Sequence, residues 1–514
     1  MIELYDADVI RSSERRAMEI MDIPEDVLME NAGRGAASRI LELYPAAQKL
    51  VVFCGPGNNG GDGVVVARHL GLAGRNATVV CCFSESRPTG AMARNLATIE
   101  KIGTADIAWL SDTEDVAFSG VMDDCDVVID ALLGTGSKGL LRGRIRRAVD
   151  IIRNSSNPVV SLDTPTGVDV SSGRADAGSV VADTTVTMMV SKPGLHVLPG
   201  MAFAGNVEIV DIGVPSGFVL PSAGSARLVE QGDVKAILPG RGKTTHKGSR
   251  GCVLVVGGSP LYRGAPCLAA RGALRAGAGI VFLAQGGNRE TSPEALCEVI
   301  RIPSEKDGPL GPEIFDATMG KWGGRIDAVV IGPGLGRDES SGLLVSRFWE
   351  EWQGPLCIDG DGLHFLTEDG PWRHAKRPKT VVTPHEGEVA ALLGVSRMDI
   401  AESRMDAARG LAGKFETTVL KGSGTIISDV SGIRIIPPGS VSLSVPGSGD
   451  VLAGMTGAFM GMGVDTGQSA AAAAWIHAEC GRVLENTKGV DGVLASEIAD
   501  TIPHVLAATG KGGQ

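Results

Sequence analysis

At 514 residues the chain is longer than one hydrophobic core usually organises, so two or three domains are expected. A net charge of −12 and an aromatic content of 4% exclude the basic, base-stacking surfaces that hold nucleic acid. Nine cysteines without a CxxC pair predict free thiols in a reducing compartment.

The first residues, Met1-Ile2-Glu3-Leu4-Tyr5-Asp6, have neither the basic start nor the apolar run of a signal peptide. The longest charge-free apolar stretch, Val451 to Val464, has 14 residues, too few for a bilayer span of about 20. A cytoplasmic protein without a membrane segment is expected. Leu50-Val51-Val52-Phe53-Cys54 then opens the organised part of the chain as an apolar run of strand length. It leads into Gly55-Pro56-Gly57-Asn58-Asn59-Gly60-Gly61-Asp62-Gly63 and the helical pattern of Val64 to Leu70. Strand, glycine turn and helix in that order predict a loop that accepts a phosphate-bearing ligand.

The alternation continues with strands at 77–80, 126–130, 158–163 and 184–190 and helices at 91–102 and 141–152. Apolar strands separated by helices predict a parallel sheet covered on both faces, with ligands at the carboxyl ends of the strands. Asp130 and Asp163 both end strands, which brings them to the glycine loop. Around 213–230 a Pro/Gly/Ser run breaks the pattern and predicts a linker. A second α/β series follows, with strands opening at Gly251, Asp327, Pro355, Thr380 and Thr417.

Two motifs compete for the phosphate reading. Gly55-Pro56-Gly57-Asn58-Asn59-Gly60 satisfies the dinucleotide pattern G-x-G-x-x-G, with Glu85 near the end of the next strand, as a nicotinamide dehydrogenase requires. That pattern does not call for the consecutive Asn-Asn-Gly-Gly-Asp. Gly242-Lys243-Thr244 resembles the end of a Walker A loop, but Ile237 stands where its first glycine belongs.

Asn58, Asn59, Asp62, Asp130, Asp163 and Thr166 offer only carboxylate, amide and hydroxyl groups, a set suited to a hard cation rather than zinc. Asp163 leaves its strand through Thr164-Pro165-Thr166-Gly167 and is a candidate general acid or base, although capping the turn is the commoner role of such a residue. Together with Leu28-Met29-Glu30-Asn31-Ala32-Gly33 and Asp130-Ala131-Leu132-Leu133-Gly134-Thr135-Gly136, these motifs resemble the YjeF N-terminal domain, the NAD(P)H-hydrate epimerase family. The resemblance implies a Rossmann-like three-layer fold and a potassium ion on Asn59, Asp130 and Thr166, where the family more often has Ser at the last position. It implies contacts to the hydrated cofactor from Asn58, Asn59, Gly60, Gly61 and Asp62, from Gly134, Thr135, Gly136, Ser137, Lys138, Gly139 and Leu140, and from Asp163, which would move protons. Ser137-Lys138 is less typical of the family.

In the second series, Pro446-Gly447-Ser448-Gly449-Asp450 opens a helical run, a geometry that presents backbone amides to an anion. Asp450 would lie beside a transferring phosphoryl group and accept a proton from an attacking hydroxyl, ordinary N-capping being its commoner role. Lys421-Gly422-Ser423-Gly424-Thr425, Thr383-Pro384-His385 and Gly332-Pro333-Gly334-Leu335-Gly336 each follow a strand. With His246 to Gly251 and Tyr262 to Pro266 they resemble the YjeF C-terminal domain, the ADP- or ATP-dependent NAD(P)H-hydrate dehydratase of the ribokinase-like superfamily. By that resemblance Lys421, Gly422, Ser423, Gly424, Thr425 and Gly449 contact the nucleotide, which would carry Mg²⁺. Ala265, Gly334, His385 and Asp450 contact the hydrate.

The expectation is therefore an α/β chain: an epimerase domain over 1–215, a linker over 216–226 and a ribokinase-like dehydratase domain over 227–510. It would interconvert the R and S hydrates of NADH and NADPH (NADHX and NADPHX) and dehydrate the S form with ADP or ATP. The family implies a homo-oligomer. The alternative is a ribokinase-like small-molecule kinase fused to a nucleotide-binding module.

Overall fold

The computed structural model describes residues 1–83, 90–110, 121–122, 124–136, 140–240, 242, 244–287, 296–304, 307–367, 370–373 and 376–511. Glu85, Lys243 and Ser137 to Gly139 lie outside the described residues. The chain divides into two compact units, Ile2–Ala226 and Arg227–Gln514 with Met1.

The strands of the first unit are β1 (Ile2–Leu4), β2 (Lys49–Cys54), β3 (Asn76–Cys81), β4 (Ala105–Trp109), β5 (Val127–Ala131), β6 (Val159–Leu162), β7 (Thr184–Met188) and β8 (Asn206–Val210). Seven of them form one sheet in the order β4-β3-β2-β5-β6-β7-β8, and every neighbouring pair is parallel. Successive side chains of a strand point to opposite faces. Val52 and Ile129 accordingly pack on one side with Leu28, Ile40, Val64 and Leu70 of helices Glu25–Leu43 and Asn58–Leu72. Val51, Phe53 and Val128 pack on the other with Ala148, Val149 and Ile152 of helix Gly143–Arg153. The result is the three-layer α/β arrangement expected. Residues 216–226, expected as a linker, pack within this unit: the carbonyls of Val219 and Pro221 accept from the hydroxyls of Ser13 and Tyr5.

The second unit carries β9 (Ala226–Leu228), β10 (Cys252–Gly257), β11 (Ile280–Gln285), β12 (Ile300–Ile302), β13 (Ala328–Ile331), β14 (Leu356–Ile358), β15 (Thr380–Val382), β16 (Thr417–Leu420), β17 (Ile426–Asp429) and β18 (Gly432–Ile435). They follow the order β9-β18-β17-β16-β15-β14-β13-β10-β11-β12. The sheet is parallel from β16 to β12, and β17 pairs antiparallel with both β16 and β18. Alanines 470–474 of helix Thr466–Lys488 are buried with Val253, Val330 and Val419 of the sheet, small side chains that allow close approach of helix and strand. Among the described residues no cysteine is paired in a disulfide. Among the described residues no helix is long and apolar enough to cross a membrane.

Candidate active sites

In the first unit the strand order turns at β2, whose neighbours are β3 and β5, and an open parallel sheet leaves a crevice at such a point. A cavity of about 710 Å³ lies there, lined by Gly57, Asn58, Asn59, Asp62, Gly134, Thr135, Gly136 and Asp163 together with Glu14 from helix Ala7–Ile20. Helix Asn58–Leu72 starts directly on the loop, so its first backbone N–H groups have no partner within the helix. The glycines of the loop divide in function. A Cβ on Gly60 would stand 1.9 Å from the Gly55 carbonyl oxygen, and one on Gly55 would stand 1.8 Å from that of Leu132, so these two let backbone pack on backbone. A Cβ on Gly57 would meet nothing within 4 Å, and this glycine faces the cavity.

Asp163 occupies the left-handed region with φ +64°, uncommon for a residue with a side chain. Its backbone N–H donates to Val186, its carbonyl accepts from the Thr187 hydroxyl, and its carboxylate accepts from the Lys192 ammonium at 2.5 Å. Lys192 is fully buried and also donates to the Thr187 hydroxyl and the Met188 carbonyl. Thr135 N–H, at 3.3 Å, completes the hold on the carboxylate. Burial pushes the Glu14 carboxyl up to about 7, the Asp163 charge adding to the effect. Burial, with Asp163 and Glu14, pushes Asp62 well above the carboxylate range.

Behind the cavity floor Asp130 is completely buried and accepts from the hydroxyls of Ser161 and Thr166 and the N–H groups of Thr166 and Leu132. Burial raises its pKa, and those hydrogen bonds act against the rise. Asn59 is buried in the first turn of helix Asn58–Leu72, next to Gly134, with neither amide atom hydrogen-bonded. A buried amide without a partner is costly, so its oxygen marks a place for a ligand or ion.

In the second unit a cavity of about 810 Å³ lies at the carboxyl ends of β10, β13 and β14, where the order turns at β10. Ala265, Gly334, Asp361, Glu388 and Asp450 line it, with Leu261 and Tyr262 at its exposed rim. Gly447, at φ +89°, turns the chain into helix Ser448–Gly461, which places Asp450 in the first turn. His477 reaches Ser448 at both its hydroxyl and its carbonyl, 3.0 and 3.1 Å away. Burial lowers the pKa of this imidazole to about 4, so it is neutral.

Asp359, nearly fully buried at the end of β14, accepts from Lys421 at 2.7 Å and from the Thr383 hydroxyl at 2.6 Å. Burial pulls the Lys421 ammonium down, but Asp359, Glu388 and Asp450 outweigh it and its pKa is raised. Burial and then Asp359 push Asp450 up to about 7, with Lys421 opposing. A Cβ on Gly449 would stand 3.2 Å from the Lys421 nitrogen, which brings Lys421, Gly449 and Asp450 to one spot.

The structure brings some of the residues named from sequence onto the two cavities and leaves others off them. Gly60 and Gly61 are buried behind the first cavity rather than on it, Gly61 against the Met29 side chain. Leu140 is 73% exposed and outside that cavity. His385 is exposed and caps helix Glu386–Leu393, its imidazole accepting from Glu388 N–H; Glu388 is the residue of that turn that lines the second cavity. Gly422 to Thr425 lie outside the second cavity, where the Thr425 hydroxyl closes the loop on the Gly422 carbonyl. Lys192, Glu14 and Asp359 carry no expectation from sequence. Asp359 had a legible signal, since it ends an apolar strand as Asp130 and Asp163 do.

Two family models match the chain: YjeF-related protein N-terminus over residues 25–194 and NAD(P)H-hydrate dehydratase over 253–504. A bifunctional NAD(P)H-hydrate repair enzyme Nnr from Thermanaerovibrio acidaminovorans is 38% identical over 99% of both chains. One of the same name from Moorella thermoacetica is 34% identical over 94% of this chain and 93% of its own. Among solved structures, an ADP/ATP-dependent NAD(P)H-hydrate dehydratase from Bacillus subtilis, crystallised with ATP and Mg²⁺, covers 55% of this chain and 98% of its own, at 25% identity and TM-score 0.47. With relatives alike over nearly its whole length and both domain models matched in order, the chain belongs to the family of bifunctional NAD(P)H-hydrate repair enzymes.

Proposed function

We propose that the first unit interconverts the R and S hydrates of NADH and NADPH and that the second dehydrates the S form at the expense of ADP or ATP. The observation that carries this reading is a carboxylate beside a lysine at each site: Asp163 with the buried Lys192, and Asp450 next to the Lys421–Asp359 pair. A hydrate carries a hydroxyl on the carbon bonded to the ring nitrogen. Asp163, fixed by its hydrogen bond from Lys192, accepts the proton of that hydroxyl in the first cavity.

In the second unit Asp450 takes the hydroxyl proton while the oxygen attacks the terminal phosphoryl group of the nucleotide. Hydroxide is a poor leaving group and phosphate a good one. The nitrogen lone pair then expels phosphate, and loss of a ring proton restores the double bond. Lys421, Gly449 and the backbone at the start of helix Ser448–Gly461 face the phosphates, and Mg²⁺ arrives with the nucleotide.

Asn59, Asp130 and Thr166 would hold the potassium ion, for which the oxygen-rich donor set and the unpartnered Asn59 amide are suited. The ion would supply fixed positive charge beside buried Asp130. A cytoplasmic homo-oligomer completes the reading.

Phosphate accounting tests the dehydratase step: inorganic phosphate should appear in equal amount to recovered NADPH. A stable phosphorylated product without NADPH would instead identify a small-molecule kinase.

A further inference from the structure

Four carboxyl groups, of Glu14, Glu25, Asp62 and Asp163, line the first cavity against the two guanidinium groups of Arg11 and Arg15, an acidic excess that the binding of a nucleotide does not call for. Asp163 is fully engaged by Lys192, Thr135 and Met188. Glu14, half-buried on helix Ala7–Ile20, lines the same cavity and makes no hydrogen bond or ion pair among the described residues. Asp62, Asp163, Lys192 and Glu25 face it from other elements, and Arg11 and Arg15 flank it on its own helix. Resting on the epimerase reading, we propose that Glu14 is the second proton-transfer group of the epimerase, working as the acid to the base Asp163.

Epimerisation of such a hydrate needs two groups in opposite protonation states. The bond between the ring nitrogen and the hydroxyl-bearing carbon breaks, its electron pair passing to nitrogen. The O–H pair becomes the second bond of an aldehyde carbonyl. Asp163 receives the hydroxyl proton and Glu14 gives one to nitrogen. After the aldehyde rotates, nitrogen attacks its other face, Glu14 takes back the N–H proton and Asp163 returns one to oxygen. Nothing is oxidised or reduced, and both carboxyl groups end as they began. Asp163 suits the base because Lys192 and Thr135 fix its carboxylate in the cavity. Glu14 suits the acid because burial and the Asp163 charge hold its proton to about pH 7.

The test measures conversion of the R hydrate by the full-length protein across pH, with dehydration of the S hydrate followed in the same preparation. For the wild-type chain kcat/KM should fall as pH rises through about 7, where Glu14 loses its proton. Glu14→Gln should lower R conversion at least about tenfold and abolish that fall, while S dehydration is unchanged. Glu14→Asp, which retains a carboxyl group, should keep a pH-dependent fall and part of the rate. A Gln variant within about tenfold of wild type, or one that is slow yet keeps the same fall, overturns the assignment. So does an Asp62→Asn variant that abolishes the fall while Glu14→Gln retains it. Failure of the wild-type chain to convert the R hydrate removes the epimerase reading itself.

Discussion

Asp163 and Lys192 stand 29 residues apart in sequence, yet one charge-assisted hydrogen bond joins them inside the protein. Removing one partner of a buried ion pair strands the other. Asp163→Ala should therefore destabilise the chain by about 3–5 kcal/mol, and adding Lys192→Met should restore much of the loss, both read from urea denaturation. Equal stability of the single and double variants would show that the pair is not the cause. Asp450 makes a different prediction. As a base it must be ionised, and its pKa is raised to about 7, so kcat/KM for dehydration rises with pH and levels off above that value. A flat profile between about pH 5.5 and 8 would remove Asp450 as the titrating base. Asp163 and Asp450 were legible because each sits at a proline- or glycine-marked turn next to a strand or helix. Lys192 was not, because only the pairing of β6 with β7 brings it to Asp163, and no local pattern records that.

The strand, glycine turn and helix around residues 49–72 serve as one element in which glycines do two jobs. Gly60 accommodates the Gly55 backbone, whereas Gly57 opens onto the cavity. Gly60→Ala should cost about 1–3 kcal/mol or more through overpacking, and Gly57→Ala should stay within about 0.5 kcal/mol, judged by thermal unfolding. Similar losses at both positions would contradict that division. The parallel strands and their following helices were visible in sequence because apolar runs of strand length end in glycine turns. The hairpin of β17 and β18 was not, and neither was helix Ala7–Ile20, whose contribution of Glu14 to the cavity depends on tertiary packing. Glycine content alone also could not separate packing glycines from those that face a ligand.

Each unit of the molecule has its own cavity at its own switch point, which matches a chain performing two reactions on one damaged cofactor. The two motif sets in order made this division readable from sequence. The packing of residues 216–226 into the first unit was hidden, since Pro, Gly and Ser in series look the same in a linker and in a fastened segment. The division of labour is tested most directly by supplying a mixture of R and S NADPH hydrates with ADP or ATP and following the near-ultraviolet absorbance of recovered NADPH. The wild-type chain should recover both epimers, Asp163→Ala should recover the S fraction quickly and the rest only at the spontaneous rate, and Asp450→Asn should recover neither. Full recovery by Asp163→Ala at the wild-type rate, or undiminished recovery by Asp450→Asn, would contradict it.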